Sequence, residues 1–281
     1  MAAPKGRIRN NGPLSHGGAD RDTLVLSPDG KLLASASEQA GVRLWDLGTS
    51  ASRTLSGTPS KGRTVAFSPD GQLLASGSLD GTIALWELGS GRQRPSLQGH
   101  RGSVEALAFS RTGDMLVSGG ADGTARSWEL ATGKALVTLA TGKALVTLGG
   151  LRDATSVLSV AFAPDGRVAV GSSDGTLRLW QPRGQEVQAL DKHDVPVQAV
   201  AFSPDGQLLA SAATDTVRLF DAHSGVPLRA LGDGYGGTSS ISFSRDGGLL
   251  AFGSETSPRV CRWTGSGWGR STACACCGTR R

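Results

Sequence analysis

Aspartates are among the side chains of this sequence best suited to proton transfer, and they recur in one motif. A Ser-Pro-Asp-Gly turn or a relative of it appears six times, and four copies keep the Pro-Asp pair. Two carboxylates held close together could perform general acid–base catalysis. In such a turn, however, the aspartate side chain bonds its own backbone, so we interpret these residues as structural. The four residues are Asp29, Asp70, Asp165 and Asp205.

Cysteines near the C-terminus are the residues best suited to hold a metal. They are Cys261, Cys274, Cys276 and Cys277. A tetrahedral zinc site cannot readily use both Cys276 and Cys277, and no second ligand cluster lies upstream. We therefore expect no metal and no cofactor. Free thiols are typical of a reducing compartment, so the expected location is cytoplasmic.

Two glycine-rich motifs resemble nucleotide-binding loops but lack the required context. Alanine follows the lysine in Gly133-Lys134 and in Gly142-Lys143, where a phosphate loop needs serine or threonine. The stretch Gly265–Gly269 precedes no helical pattern, and no serine lies in a nucleophile-elbow frame. The predicted inner strands Thr64–Phe67 and Ser159–Phe162 contain no histidine or acid. The sequence therefore predicts a protein that is not an enzyme and has no catalytic residues.

The charge of the chain is concentrated at one end. The formal net charge is +5, and the segment from Ser257 to Arg281 contains five arginines and no acid. Such a tail is typical of salt-sensitive attraction to polyanions. The 281 residues contain no apolar run near the roughly 20 that a membrane helix needs. Met1–Gly18 contains no apolar stretch after its basic residues, so we expect no secretory signal.

One unit of about 41 residues repeats through most of the chain. The six turn motifs and six closing aromatic residues keep this period independently. The closing residues are Trp45, Trp86, Trp128, Trp180, Phe220 and Trp263. Each unit contains apolar, β-branched segments separated by glycine turns, which predicts four short strands. The middle strands are apolar on both faces, so the pattern favours a radial array of sheets: an all-β propeller of about six four-stranded antiparallel blades.

These residues resemble the WD-repeat β-propellers. The resemblance is carried by Trp45-Asp46, by Gly99-His100 and by Ser-x-Asp-Gly-Thr before the closing tryptophan, and it covers about Ser15 to Trp263. It implies a structural network of four side chains in a complete unit. The third unit has all four, as His100, Ser118, Asp122 and Trp128.

Other units depart from this pattern. The fifth has His193, Ser211 and Asp215 but lacks the turn glycine and ends in Phe220. The fourth has Asp153 and Val170 where the network needs histidine and serine. A structural role is therefore expected for three of the four histidines, and the terminal units are expected to be the least stable.

The domain limits follow from the repeat. We predict a basic arm over 1–14, a propeller over 15–264 and a Cys/Arg-rich tail over 265–281. Ala131–Leu139 is duplicated residue for residue as Ala140–Leu148. One copy should form an outer strand, and the other should pair beside it or loop out. Neither terminus offers a strong closing strand, so we expect a weak seam between the first and sixth blades and an imperfectly closed ring.

The resemblance implies a non-enzymatic scaffold or adaptor that docks partner proteins or peptides on its loop face. Residues that follow the histidine position usually reach this face, and exposed Arg or Tyr makes a good anchor. The predicted partner-binding residues are Arg63, Arg101, Arg152, Asp194 and Tyr235. We expect a monomer that does not bind membranes. The alternative is a protein that binds nucleic acid or ribonucleoprotein through its basic ends.

Overall fold

The computed structural model describes residues 23–39, 41–55, 61–140, 155–182, 187–231, 238–254 and 259–262. All of the regular secondary structure within these ranges is β-strand. None of these residues forms a helix with the length and apolarity needed to cross a bilayer.

The strands form six antiparallel sheets, which are numbered as blades 1 to 6 in chain order. Blade 1 contains β1 Thr23–Leu26, β2 Leu32–Ser37, β3 Gly41–Asp46 and β4 Ser52–Thr54. Blade 2 contains β5 Gly62–Phe67, β6 Leu73–Ser78, β7 Ile83–Glu87 and β8 Gln93–Leu97. Blade 3 contains β9 Val104–Phe109, β10 Met115–Gly120, β11 Thr124–Glu129 and β12 Lys134–Ala140.

The second half of the chain continues the same order of strands. Blade 4 contains β13 Val157–Phe162, β14 Val168–Ser172, β15 Leu177–Trp180 and β16 Val187–Ala189. Blade 5 contains β17 Val197–Phe202, β18 Leu208–Ala213, β19 Val217–Asp221 and β20 Pro227–Leu231. Blade 6 contains β21 Thr238–Phe243, β22 Leu249–Ser254 and β23 Arg259–Arg262. Sequential pairing of neighbouring strands within each sheet confirms the predicted all-β propeller.

The repeated turn joins the first two strands of each blade by bonds within the turn itself. In blade 2, the Ser68 hydroxyl donates to Asp70 Oδ1 over 2.5 Å, and the same carboxylate oxygen accepts the Gln72 N–H. Gly71 has φ +69°, a value that few other residues adopt. The bond from Ser68 and then that from Gln72 lower the pKa of Asp70. The turn aspartates are therefore bonded locally, in agreement with their structural interpretation.

Large side chains fill the spaces between consecutive blades. Trp128 packs against Leu73, Leu85 and Leu97 of blade 2, and it is only 1% exposed. Trp86, Trp180 and Phe220 occupy the equivalent positions of their blades and are equally buried against the preceding blade. Blades 2 to 5 thus each hide one face against the blade before them, which explains why the middle strands are apolar on both sides.

Three strands of blade 6 lie within the described residues, and residues 263–281, which follow them, lie outside. The fourth strand expected for this blade stays a prediction. The backbone register places Cys261 opposite Leu250, as Trp128 lies opposite Leu116 in blade 3. The repeat spacing in the sequence assigned the closing position of blade 6 to Trp263, which lies outside the described residues. The strand register therefore moves this closing position by two residues, from Trp263 to Cys261.

The described residues contain the first copy of the duplicated segment. This copy supplies all of β12 except Ala140, and β12 pairs along β11 as the outer strand of blade 3. Residues 141–148 of the second copy lie outside the described residues, so the hairpin or loop expected there stays a prediction.

Candidate docking face

Blade 3 holds one of its loops through a chain of four side chains. His100 lies in the loop before β9, and its Nε2 is 2.6 Å from Ser118 Oγ on β10. Its Nδ1 is 3.0 Å from Asp122 Oδ1 in the following turn. The indole N–H of Trp128 donates to Ser118 Oγ over 2.9 Å. The loop is therefore tied to the two central strands of its own blade.

The direction of each hydrogen bond in this series of four side chains follows from the groups at its two ends, the Trp128 indole and the Asp122 carboxylate. The tryptophan indole can only donate, so Ser118 Oγ accepts from it. The Asp122 carboxylate can only accept, so His100 Nδ1 donates to it. In the tautomer with its proton on Nδ1, Nε2 accepts the Ser118 hydroxyl proton. Burial raises the pKa of Asp122, but bonds from His100, the Arg101 backbone and Thr124 outweigh it and lower the pKa far below its usual range. The aspartate is thus ionised and every member of the chain is satisfied.

Ser118, His100 and Asp122 have the connectivity of a serine-hydrolase triad. The arrangement cannot act as one, because Ser118 is fully buried and its oxygen already accepts the Trp128 N–H. A substrate carbonyl would have to reach that oxygen through the core of the blade. The chemistry of this cluster is therefore structural: it satisfies buried polar groups and fixes a loop.

Blade 5 contains a second network. His193 Nε2 lies 2.7 Å from Ser211 Oγ, and His193 Nδ1 lies 3.1 Å from Asp215 Oδ1. Sequence analysis placed these three residues at the network positions, in a unit that lacks the turn glycine and ends in Phe220. The sequence separations of 18 and 22 residues match those in blade 3. Burial lowers the pKa of His193, against the opposing effect of Asp215, so the imidazole is held neutral.

Blade 4 shows what happens when the histidine is missing. Ser172 occupies the position of Gly120, where a Cβ would lie 2.4 Å from His100 Nδ1. Among the described residues, Ser172 Oγ and Asp174 Oδ2 are buried and have no hydrogen-bond partner. Asp153, which aligns with the histidine, lies outside the described residues. Asp174 keeps the bonds from Thr176 that Asp122 receives from Thr124, and it has no histidine partner among the described residues.

Two of the predicted docking residues lie beside these networks. Arg101 is exposed and directly follows the buried His100, and its backbone N–H donates to Asp122 Oδ2 over 2.9 Å. Asp194 is exposed and directly follows the buried His193. Both residues lie where the inner strands begin, and this side of the blades is called the loop face below. The networks therefore hold two charged side chains at the surface.

Arg63 lies in a different environment. Its Nη1 lies 2.8 Å from Glu38 Oε1 in blade 1, and its Nε lies 3.0 Å from Glu105 Oε2 in blade 3. Its side chain is 18% exposed, and the Ser103 hydroxyl also bonds Glu105. Arg63 therefore links three consecutive blades near the loop face. Sequence analysis missed this link because neither glutamate belongs to the repeated motif. Arg152 and Tyr235 lie outside the described residues.

The sequential blades, the serine-aspartate turns and the buried His–Ser–Asp networks define a WD-repeat β-propeller. Residues 18–46 match the family described as WD domain, G-beta repeat. Residues 54–261, well over half of the chain, match the family described as Nucleolar protein 10-like, N-terminal domain, and the chain belongs to that family. No curated protein matches the chain.

Proposed function

We propose that this propeller is a non-enzymatic scaffold that docks partner proteins or peptides on its loop face. The observation that supports this most directly is the position of Arg101 and Asp194, each held at the surface by a buried histidine network. Because the backbone of these loops is already held in place, binding requires less ordering of the loops themselves. The opposite charges on the loops of blades 3 and 5 also favour partners with a complementary pattern.

The loop face is also cross-linked by an ion-pair network. Arg63 joins blades 1, 2 and 3 through its two glutamates, so these blades present their loops in a fixed relation. A preorganised surface of this kind suits recognition better than catalysis, since the Ser118 and Ser211 hydroxyls beneath it are fully buried. The protein is therefore proposed to act through contact alone.

A matched pair of charge reversals tests the proposal. Arg101→Glu reverses an exposed charge on the loop face, whereas Arg111→Glu does so in the β9–β10 turn at the opposite end of β9. Both variants should keep the wild-type circular dichroism and melting temperature. Quantitative affinity purification from cells should lose specific partners with Arg101→Glu and keep them with Arg111→Glu. Equal partner sets for both variants would contradict docking at this face.

A second candidate is binding to nucleic acid or ribonucleoprotein, and one observation favours it. The matching family takes its name from a nucleolar protein, and the chain has a net charge of +5. Affinity for RNA would then fall steeply with salt, and deletion of residues 257–281 would remove that dependence. The cytoplasmic location expected from the sequence stays a prediction. Imaging of the tagged chain decides between the two locations, because only the second candidate requires nucleolar enrichment.

A further inference from the structure

Blade 1 exposes a face that every other blade covers. The face of a blade that contains its closing residue, as Trp128 in blade 3, packs on the blade before it and is called the incoming face. In blade 1 this face contains Leu24, Leu26, Leu33, Trp45 and Leu47, as the register shows. Leu24 is 54%, Leu26 57% and Leu47 45% exposed. Soluble proteins seldom leave such a patch uncovered without a partner.

The equivalent residues of blade 3 show what this face fits. Phe109 and Leu130 hold the positions of Leu26 and Leu47, and both pack with Trp128 against blade 2. The surface that receives them belongs to the other side of blade 2, called the outgoing face. Its members are Leu73, Ala75, Ile83, Leu85 and Leu97. The incoming face of blade 1 therefore has the residue positions that, in blade 3, pack against the outgoing face of blade 2.

The corresponding surface of blade 6 is also exposed. Ala251, which holds the position of Ala75, is exposed, while its neighbours Leu250 and Phe252 are buried against blade 5. A Cβ on Gly77 of blade 2 would lie 2.6 Å from Val104 of the next blade. Among the described residues, a Cβ on Gly253 at the same position in blade 6 would meet Ser240 of its own blade and no residue of another blade. No described strand therefore packs on blade 6 as β9 packs on blade 2.

We propose that the incoming face of blade 1 binds the outgoing face of blade 6 of a second copy of this chain. No hydrophobic cluster of the described residues joins blade 6 to blade 1 within the molecule. The two surfaces hold the backbone positions that meet between consecutive blades, with Leu26 at the position of Phe109 and Ala251 at that of Ala75. Such a contact is heterologous, and head-to-tail addition of further copies follows from it. The proposal replaces the monomer expected from the sequence.

A pair of double variants tests this association. Leu24→Glu with Leu26→Glu places two charges on the incoming face, and Val226→Glu with Leu228→Glu places two charges at similarly exposed apolar residues of blade 5. In sedimentation equilibrium, the wild type and the blade 5 variant should show the same concentration-dependent association. The blade 1 variant should associate at least about tenfold more weakly, because burying an unpaired carboxylate is unfavourable. A wild-type mass of one chain at every concentration would overturn the proposal.

Cross-linking distinguishes a second copy from closure within one chain. Leu26→Cys and Ala251→Cys are combined in a chain whose native cysteines are changed to serine, and mild oxidant is added. A non-reducing gel should show dimers and larger species. Cross-links confined to single chains would mean that the ring closes on itself and would overturn the proposal.

Discussion

Val104 of blade 3 lies so close to Gly77 of blade 2 that a Cβ on Gly77 would be 2.6 Å from Val104 Cγ1 and 2.7 Å from its Cβ. The same relation joins Gly119 to Val157 and Gly171 to Val197. These valines are fully buried. Glycine in the second strand of one blade thus lets the valine of the next blade's inner strand approach closely, and this contact sets the distance between those two strands.

The first prediction concerns this contact. Gly77→Ala should lower the free energy of unfolding by about 1–3 kcal/mol, because the valine backbone must move to admit the methyl group. Gly253→Ala should cost less than about 0.5 kcal/mol, since the Ser240 hydroxyl can rotate away and no blade among the described residues packs there. Urea unfolding of both variants measures the difference. Equal losses would show that blade 6 is covered as blade 2 is.

The second prediction concerns the network of blade 3. Ser118→Ala should destabilise the protein by about 1–3 kcal/mol for each buried group left unpaired, and it removes a partner from both His100 and Trp128. Ser90→Ala serves as the control, because Ser90 is exposed and bonds only locally. Thermal unfolding by calorimetry tests the pair. A loss for Ser118→Ala no greater than that for Ser90→Ala would show that the network adds no stability.

The third prediction concerns pH. Burial lowers the pKa of His193 in the fold, so the unfolded chain takes up a proton at a higher pH than the folded one. The resulting stability is complete above the unfolded value of about 6.5 and is lost as the pH falls through the folded value. Urea midpoints should therefore fall more steeply below about pH 6.5 in the wild type than in His193→Gln, which cannot titrate. If the urea midpoints of the wild type and of His193→Gln changed with pH in parallel, the buried imidazole of His193 would not be neutral in the fold.

The fourth prediction concerns the link between blades 1, 2 and 3. Arg63→Met should lower the free energy of unfolding by about 1–3 kcal/mol, because Glu38 and Glu105 are partly buried and would lose their partner. Arg92→Met also breaks a pair with a glutamate, but Arg92 is 72% exposed and the loss should stay within about 0.5 kcal/mol. Chemical denaturation compares the two variants. If both lose equally little, Arg63 is free to serve as a docking anchor.

Much of the fold could be predicted because its signals are local. The turn containing Asp70 specifies its own conformation through bonds to Ser68 and Gln72, so the motif is recognisable without knowledge of its neighbours. The blade 3 network is also contained within one repeat. Its four residue types and their separations were therefore recognisable in the sequence before their geometry was known.

Only the tertiary structure decided which surfaces meet. The pairing of Arg63 with Glu38 and Glu105, the position of Cys261 opposite Leu250, and the exposure of Leu24 and Leu26 all depend on contacts between different strands or blades. The sequence by itself determined a repeating sheet with an apolar surface on each side. It did not determine whether the first and last of these surfaces are covered, because a periodic pattern describes each blade alike and burial depends on the neighbour that each blade has in space.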